Sequence, residues 1–418
     1  MGGRGGLARW DFRLLWVGET SSKLGSAVTT VALPLVAVTH LNATTLQVAL
    51  LEAAVWLPWL VVGLPAGALV DRWPSKPLML LCNAVSATLL ISVPVAVLFD
   101  ALTMTQLTGV AFFAAVATVF FSTAYQRFLP AVVDTPDLPA ANARMQGSES
   151  AAQVAGPSLG GLLAGAFGAA TGLLADAVTF VVSSVCLLRI RSVQPRPEPV
   201  AKRSIVREIG EGLRYLVHDP YLRVIAAFSA ATNLAGGMLQ AVLVVFLVRS
   251  VGISEWTVGT FLSLVSLGGI AGAMAATWVS RRFGSARGLI ICELCTAPFA
   301  LLIPLTGPGA GLAFLVAGGV MTTAGVIAFN VIFGAFRAAY VPRHLLGRIV
   351  ASTRFVNYGT LPVGAVLGGV LGTSLGLPAT LWISAAGTAG AVLILFLGPI
   401  RTRRDLPVAA GELSGVRS

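Results

Sequence analysis

Runs of about twenty apolar residues recur along the whole chain, each closed by a short polar or charged stretch: 14–38, 46–70, 78–98, 106–127, 146–168, 171–190, 222–248, 257–279, 288–306, 311–334, 355–374 and 377–398. About twenty residues at 1.5 Å per residue cross the hydrocarbon core of a bilayer as a helix. The pattern therefore predicts an all-α integral membrane protein with twelve transmembrane helices. One stretch breaks the rhythm. Residues 191–220, "RSVQPRPEPVAKRSIVREIGEGLRYLVHDP", are polar and Pro-rich, then carry Ile205, Ile209, Leu213 and Leu216 at helical spacing among charges. A helix lying on the cytoplasmic face, against lipid headgroups, is expected there. It divides the chain into an N-terminal six-helix bundle (1–190), a linker (191–220), a C-terminal six-helix bundle (221–400) and a tail (401–418).

Composition agrees with the pattern. Of the 418 residues 56% are hydrophobic and 11% charged, with mean hydropathy +0.86, whereas soluble domains carry about 25% charged residues. The 46 glycines fit helices that approach closely in lipid. Charge then supplies orientation. If the N-terminus is cytoplasmic, 26 of the 28 Lys and Arg residues fall in inner segments, leaving Arg249 outside and Lys23 within the first span. This bias predicts a multi-pass protein with both termini cytoplasmic. It also accounts for the net charge of +11 without a nucleic-acid partner. Lysine is rare beside arginine, 3 against 25, which points to a GC-rich bacterial genome and hence to a bacterial cytoplasmic membrane. The run from Leu14 is too long for the apolar core of a cleavable signal peptide. Cys82, Cys186, Cys292 and Cys295 all lie in apolar runs and are expected as small core residues rather than a metal or redox pair.

The two halves are related. "LPAVV" at 129–133 answers "VPRHL" at 341–345, "LGG" at 159–161 answers "LGG" at 367–369, and "DRWPS" at 71–75 answers "RRFGS" at 281–285. Offsets between 208 and 212 argue for a duplicated six-helix unit, the architecture of transporters with a central site.

Over nearly its whole length the chain resembles the major facilitator superfamily. The stretch "GLPAGALVDRWPSKP" matches that family's loop between helices 2 and 3 at Gly67, Leu69, Asp71, Arg72 and Lys76, with Pro74 and Ser75 replacing a glycine and a basic residue. "GPSLGG" at 156–161 looks like the helix 5 motif of drug:proton antiporters, carried by Gly156, Pro157, Gly160 and Gly161, although Ala152 stands where a further glycine is usual. The helix 4 arginine of that group is absent from "FFAAVATVFF". "VPRHLLGRIVAS" and "REIGEGLRYLVHDPYLR" look like the macrolide and siderophore efflux branch. The resemblance implies two pseudo-symmetric bundles and export of a small hydrophobic or amphipathic molecule, such as a drug, natural product or siderophore. It also implies a monomer that works by alternating access on the proton gradient, without a bound cofactor or metal. In this family the helix 2–3 loop faces the start of helix 11. Asp71 and Arg72 are accordingly expected to latch the cytoplasmic side against the segment from Arg348 to Arg354, where the plainer alternative is an interfacial pair ending a span.

Ionisable groups inside spans cost about 2.5–3.5 kcal/mol at the membrane centre on insertion scales and so point to function. Five carboxylates qualify: Glu19, Glu52, Glu149, Asp176 and Glu293. A carboxyl held away from water keeps its proton and releases it to water or beside a cation, which lets such a group carry protons. The family's cavity-lining helices 1, 4, 7 and 10 single out Glu19. Lys23 lies one turn further on, with Ser22, Ser26 and Thr30 on the same stripe; mutual neutralisation of Glu19 and Lys23 is the alternative. Glu52 and Glu149 come second, while Asp176 and Glu293 are expected as hydrogen-bonded structural groups. Asn233 and Gln240 on helix 7, Asn330 on helix 10, and Ser122 and Tyr125 on helix 4 are candidate substrate contacts, polar glue between helices being the competing role. Phe112, Phe113, Phe120 and Trp56 are candidate apolar walls, packing being the commoner role for any one of them. No phosphate-binding loop G-x-x-x-x-G-K-[ST] occurs, so a nucleotide-driven pump is excluded. His40, His218 and His344 are scattered, so no enzyme site is expected. An importer of a small solute and a non-transporting sensor or assembly protein remain as alternatives.

Overall fold

In a computed structural model the described residues are 3–70, 73–191 and 205–407. The described side chains exclude 3–9, 64, 65, 67, 68, 205–209, 343 and 344. All the regular structure among them is helical. The helices are α1 (Gly3–Leu35), α2 (Thr45–Val61), α3 (Gly63–Val70), α4 (Ser75–Leu98), α5 (Met104–Val132), α6 (Leu138–Phe167), α7 (Ala170–Arg189), α8 (Ile205–His218), α9 (Pro220–Val245), α10 (Glu255–Phe283), α11 (Ser285–Thr296), α12 (Leu312–Tyr340), α13 (Arg343–Ser374) and α14 (Leu377–Phe396). Ten of the helical segments are long and apolar enough to cross a membrane. Large side chains such as Leu188, Met274 and Leu393 stay exposed on them, as lipid-facing positions must.

Two of the expected spans depart from that rule, each for a local reason. The span 46–70 is split at Val62 into α2 and α3. Pro58 and Pro65 each remove an amide donor from the helical ladder around the break. The span expected at 146–168 begins earlier, at Leu138, because its polar first turns ("LPAANARMQGSESAAQ") still form helix; that polarity lowers its mean hydropathy below that of its neighbours. A third span, 288–306, changes winding at Ala297, where Pro298 and Pro304 convert its second half to a 3-10 helix through Leu305.

The chain forms two compact units, one drawn from Met1–Lys202 with Leu247–Ser263, the other from Arg203–Phe246 with Leu264–Ser418. In the first, α1 packs against α6 and α7, and α4 against α5 and α7. Leu15, Met79, Phe128, Leu129 and Leu187 form one core cluster. In the second, α9 packs against α13 and α14. Its core is richer in aromatic rings: Tyr221, Phe228, Phe329, Phe333, Phe336 and Tyr340, with Phe336 and Tyr340 stacked at 4.8 Å. Offset-stacked rings contribute about 0.5–1.5 kcal/mol beyond their buried area.

Each unit ties the chain at the end of its last span to the first turn of its third, α4 in one and α11 in the other. In the first, Lys76 Nζ donates to the carbonyls of Leu188 (3.3 Å) and Ile190 (2.7 Å). In the second, the amides of Ala286 and Arg287 donate to the Arg404 carbonyl at 3.1 and 3.3 Å, and Asp405 accepts from the Ser285 amide at 3.0 Å. The amphipathic helix α8 does not lie bare for headgroups. It packs on α13, with Leu216 buried and Leu213 half-buried against the second unit's core. A side chain at Gly212 would strike the Arg348 carbonyl.

Candidate functional site

The chemistry of the first unit gathers on α1. Side chains three and four apart share a helix face, and Trp16, Glu19, Ser22, Lys23 and Ser26 follow that spacing. Two hydrogen bonds fasten this face to α6: Trp16 Nε1 donates to Ser148 Oγ at 2.8 Å, and Lys23 Nζ donates to Glu149 Oε1 at 3.2 Å. Glu19 sits between the two ties. It is 6% exposed, and its Oε1 has no hydrogen-bond partner.

Helices α4, α5 and α7 complete a cavity of about 180 Å³ within this unit. Asn83 and Ser86 come from α4, Phe121, Ser122 and Tyr125 from α5, and Phe180 from α7. Asn83 donates its amide nitrogen to Ser183 Oγ at 3.0 Å, which leaves Oδ1 buried and unpartnered. Thr118 and Ser122 donate their hydroxyl protons to the carbonyls of Ala114 (2.9 Å) and Val119 (3.0 Å), so toward the cavity they offer lone pairs. Thr20 Oγ1 is likewise buried without a partner. The wall thus holds three buried oxygens without a partner, Glu19 Oε1, Thr20 Oγ1 and Asn83 Oδ1, and the amide oxygen of Asn83 can only accept. Buried acceptors without donors are costly, so this wall favours protons, water or a ligand bearing N–H or O–H groups.

The remaining sequence candidates scatter. Lys23 pairs with Glu149, 126 positions away, rather than with Glu19. Ser122 and Tyr125 line the cavity; Glu52, half-buried on α2, does not. In the second unit Asn233 donates to Ser229 Oγ at 3.4 Å, and Ser229 donates to Asn357 Oδ1 at 2.8 Å, joining α9 to α13. Gln240 and Asn330 are exposed. Arg348 forms an ion pair with Glu211 of α8 at 2.7 Å. Gly67 lies in α3; Asp71 and Arg72 lie outside the described residues. Gly156 and Gly160 face α1, where a Cβ on Gly156 would collide with Ala27 and one on Gly160 would come within 2.9 Å of the Val28 carbonyl. Gly161 faces the first turns of α10, where its Cβ would meet the Gly259 Cα at 2.7 Å. Ser263 reinforces that contact by accepting from the Ser158 amide at 2.7 Å, and Pro157 is buried beside it.

Asp176 accepts from Thr29 Oγ1 at 2.5 Å and from Thr179 Oγ1 at 3.2 Å, tying α7 to α1. Glu293, expected as a hydrogen-bonded structural group, is buried with its Oε1 unpartnered. Of the aromatic candidates, Phe113 is 56% exposed and Phe120 packs into the first unit's core. The rings at the cavity are Phe121, Tyr125 and Phe180. Asn83 and Ser86 were overlooked in sequence; their only mark is two polar residues, three apart, in an apolar run. Among the described residues no group of three His, Cys, Asp or Glu side chains is placed to hold a metal ion, and all four cysteines are unpaired.

A chain of long apolar helices with charged groups buried in their midst is a polytopic membrane transport protein. Comparison with known families gives the particular kind: residues 5–410 match the model described as "Transmembrane secretion effector", and the chain belongs to that family of the major facilitator superfamily. It is 27% identical over 380 residues to the multidrug efflux pump Tap of Mycolicibacterium fortuitum, covering 89% of this chain and 91% of that one. It is 27% identical over 413 residues to the uncharacterized transporter YfiS of Bacillus subtilis, covering 92% and 91%. Among solved structures it resembles a point mutant of the nucleoside transporter NupG, with a TM-score of 0.76 at 12% identity, covering 93% of this chain and 99% of that one. It also resembles a bacterial homologue of the iron transporter ferroportin in its inward-facing state, with a TM-score of 0.75 at 16% identity, covering 94% and 99%. These two likenesses concern the fold.

Proposed function

We propose that this protein is a proton-coupled exporter of small hydrophobic or amphipathic molecules, acting by alternating access in a bacterial cytoplasmic membrane. The observation that carries this reading is Glu19: a buried carboxyl with one oxygen unpartnered, beside the Lys23–Glu149 pair, in a cavity where Thr20 and Asn83 also present unpartnered oxygens. A proton on Glu19 removes the cost of an unpaired buried charge. A cargo that brings N–H groups to the same wall makes proton and cargo competitors, and such competition is the physical basis of exchange. Phe121, Tyr125 and Phe180 offer flat apolar faces for the rest of the cargo. The named function of the Mycolicibacterium relative supports the outward direction. The clustering of Lys and Arg supports cytoplasmic termini.

The test uses inside-out membrane vesicles with an imposed pH gradient, screening hydrophobic antibiotics, siderophores and sugars. The expected result is uptake of an amphipathic compound that consumes the gradient and is lost in Glu19→Gln. Uptake independent of the gradient would refute the coupling. Movement of sugars alone would refute the cargo class.

A further inference from the structure

Three charged groups share one wall, and one of them is out of balance. Lys23 serves Glu149, while Glu19 has no partner for Oε1, yet Glu19 lines the same cavity as both Lys23 and Glu149. Glu19 precedes Lys23 by four residues on α1, a separation of about 6 Å along the axis. Helical side chains lean toward the N-terminus of their helix, so the lysine stem points back toward Glu19. Its ammonium can exchange Glu149 for Glu19 by rotating its own bonds, with no movement of α1 or α6. Nothing bulky holds it in place: the Lys23 and Glu149 side chains are 45% and 35% exposed.

We propose that Lys23 is a movable counter-ion, a positioning residue that passes between Glu149 and Glu19 and thereby decides which of the two carries the proton. In one arrangement Glu19 holds a proton and Lys23 pairs with the Glu149 carboxylate. In the other Glu149 holds the proton and Lys23 pairs with the Glu19 carboxylate. One O–H bond breaks on Glu19 and one forms on Glu149, so the cavity keeps one proton, one ammonium and the same total charge. The exchange moves a proton between α1 and α6 without leaving an unpaired charge on the buried Glu19, where such a charge is most costly.

The other ionisable groups around the pair leave it undisturbed. From α5, Tyr125 lines the same cavity as Glu19 and Glu149. From α7, Asp176 is held by Thr29 and Thr179, and Cys186 packs against Gly18. From α4 comes Cys82. None of these brings a positive charge, so among the described residues lining the cavity Lys23 is the cation over which the two glutamates compete.

The proposal rests on the proton-coupled reading but is tested apart from transport. Infrared spectra of the purified full-length protein in lipid, at neutral pH, report the C=O stretch of protonated carboxyls. The wild type is expected to show a band that Glu19→Gln removes. Glu149→Gln is expected to remove the same band, because the released lysine moves to Glu19 and ionises it. Glu149→Gln with Lys23→Met is expected to restore it, and Lys23→Arg to leave it as in the wild type. Should Glu149→Gln not fold, Glu149→Asn, the residue found at Asn357 in the second unit, serves in its place. A band that survives Glu149→Gln at full strength, or a wild type with no band sensitive to Glu19→Gln, would overturn the handover. Loss of coupled transport with the infrared pattern intact would instead count against the antiport reading alone.

Discussion

Where the first unit has Glu19, Lys23 and Glu149, the second has Ser229, Asn233 and Asn357. The two sets are related by the same 208–210-residue offset that relates the halves. Both join the first expected membrane span of their half to the fifth. In the first unit the link is the ion pair Lys23–Glu149 between α1 and α6; in the second it is the chain from Asn233 through Ser229 to Asn357 between α9 and α13. Neutral amides and a hydroxyl thus hold one such helix pair together. The charge in the other pair is not needed for packing, and intramembrane charge that packing does not need is a mark of function. A single interhelical hydrogen bond in a membrane protein contributes on average about 0.6 kcal/mol, too little to explain keeping three ionisable groups.

Substitutions that exchange the two sets break this contrast. The largest effect is expected from Glu19→Ser with Lys23→Asn and Glu149→Asn, which gives the first unit the residues of the second. Gradient-driven transport should fall about a hundredfold, to background, while the melting temperature stays within roughly 4 °C of the wild type, as a change of about 1 kcal/mol allows. Unfolding of this variant would mean that the charges are structural after all. Gly161→Leu probes a contact that involves no charge, since Gly161 abuts Gly259 backbone to backbone. Overpacking costs about 1–3 kcal/mol, and both folded yield and transport should drop several-fold; unchanged yield would show that α6 and α10 separate freely there.

Smaller effects belong to the second unit. Tyr340→Phe deletes the 2.7 Å bond to Asp219, which still caps α9 through the Tyr221 and Leu222 amides. A loss near 1 kcal/mol in thermal unfolding is expected, with transport retained. Asn357→Ala should cost about 0.6 kcal/mol and leave the pH dependence of transport unaltered. A shifted pH profile in Asn357→Ala would show that coupling is shared between the units.

The sequence made the membrane spans, the linker position and the Glu19–Lys23 stripe legible, because each depends on local spacing. It did not show which acid Lys23 meets. Spacing along one helix offered only Glu19, and the true partner lies on α6. The cavity wall was half legible. Ser122 and Tyr125 stand out as polar groups on a helix marked by the family resemblance, whereas Asn83 is one amide in an apolar run and Phe121 and Phe180 are two of 20 phenylalanines. The breaks at Val62 and Ala297 follow from prolines visible in the sequence, but hydropathy averages across them. The unpartnered Oε1 of Glu293 was not legible, because spacing along its own helix says nothing about its neighbours on others.

The most direct measurement is substrate-driven proton flux in proteoliposomes containing the wild type or Glu19→Gln. The wild type should move protons against its cargo. The variant should still exchange cargo down a concentration gradient but carry no protons. Proton flux at the wild-type rate in Glu19→Gln would contradict the assignment of coupling to the first unit's cavity.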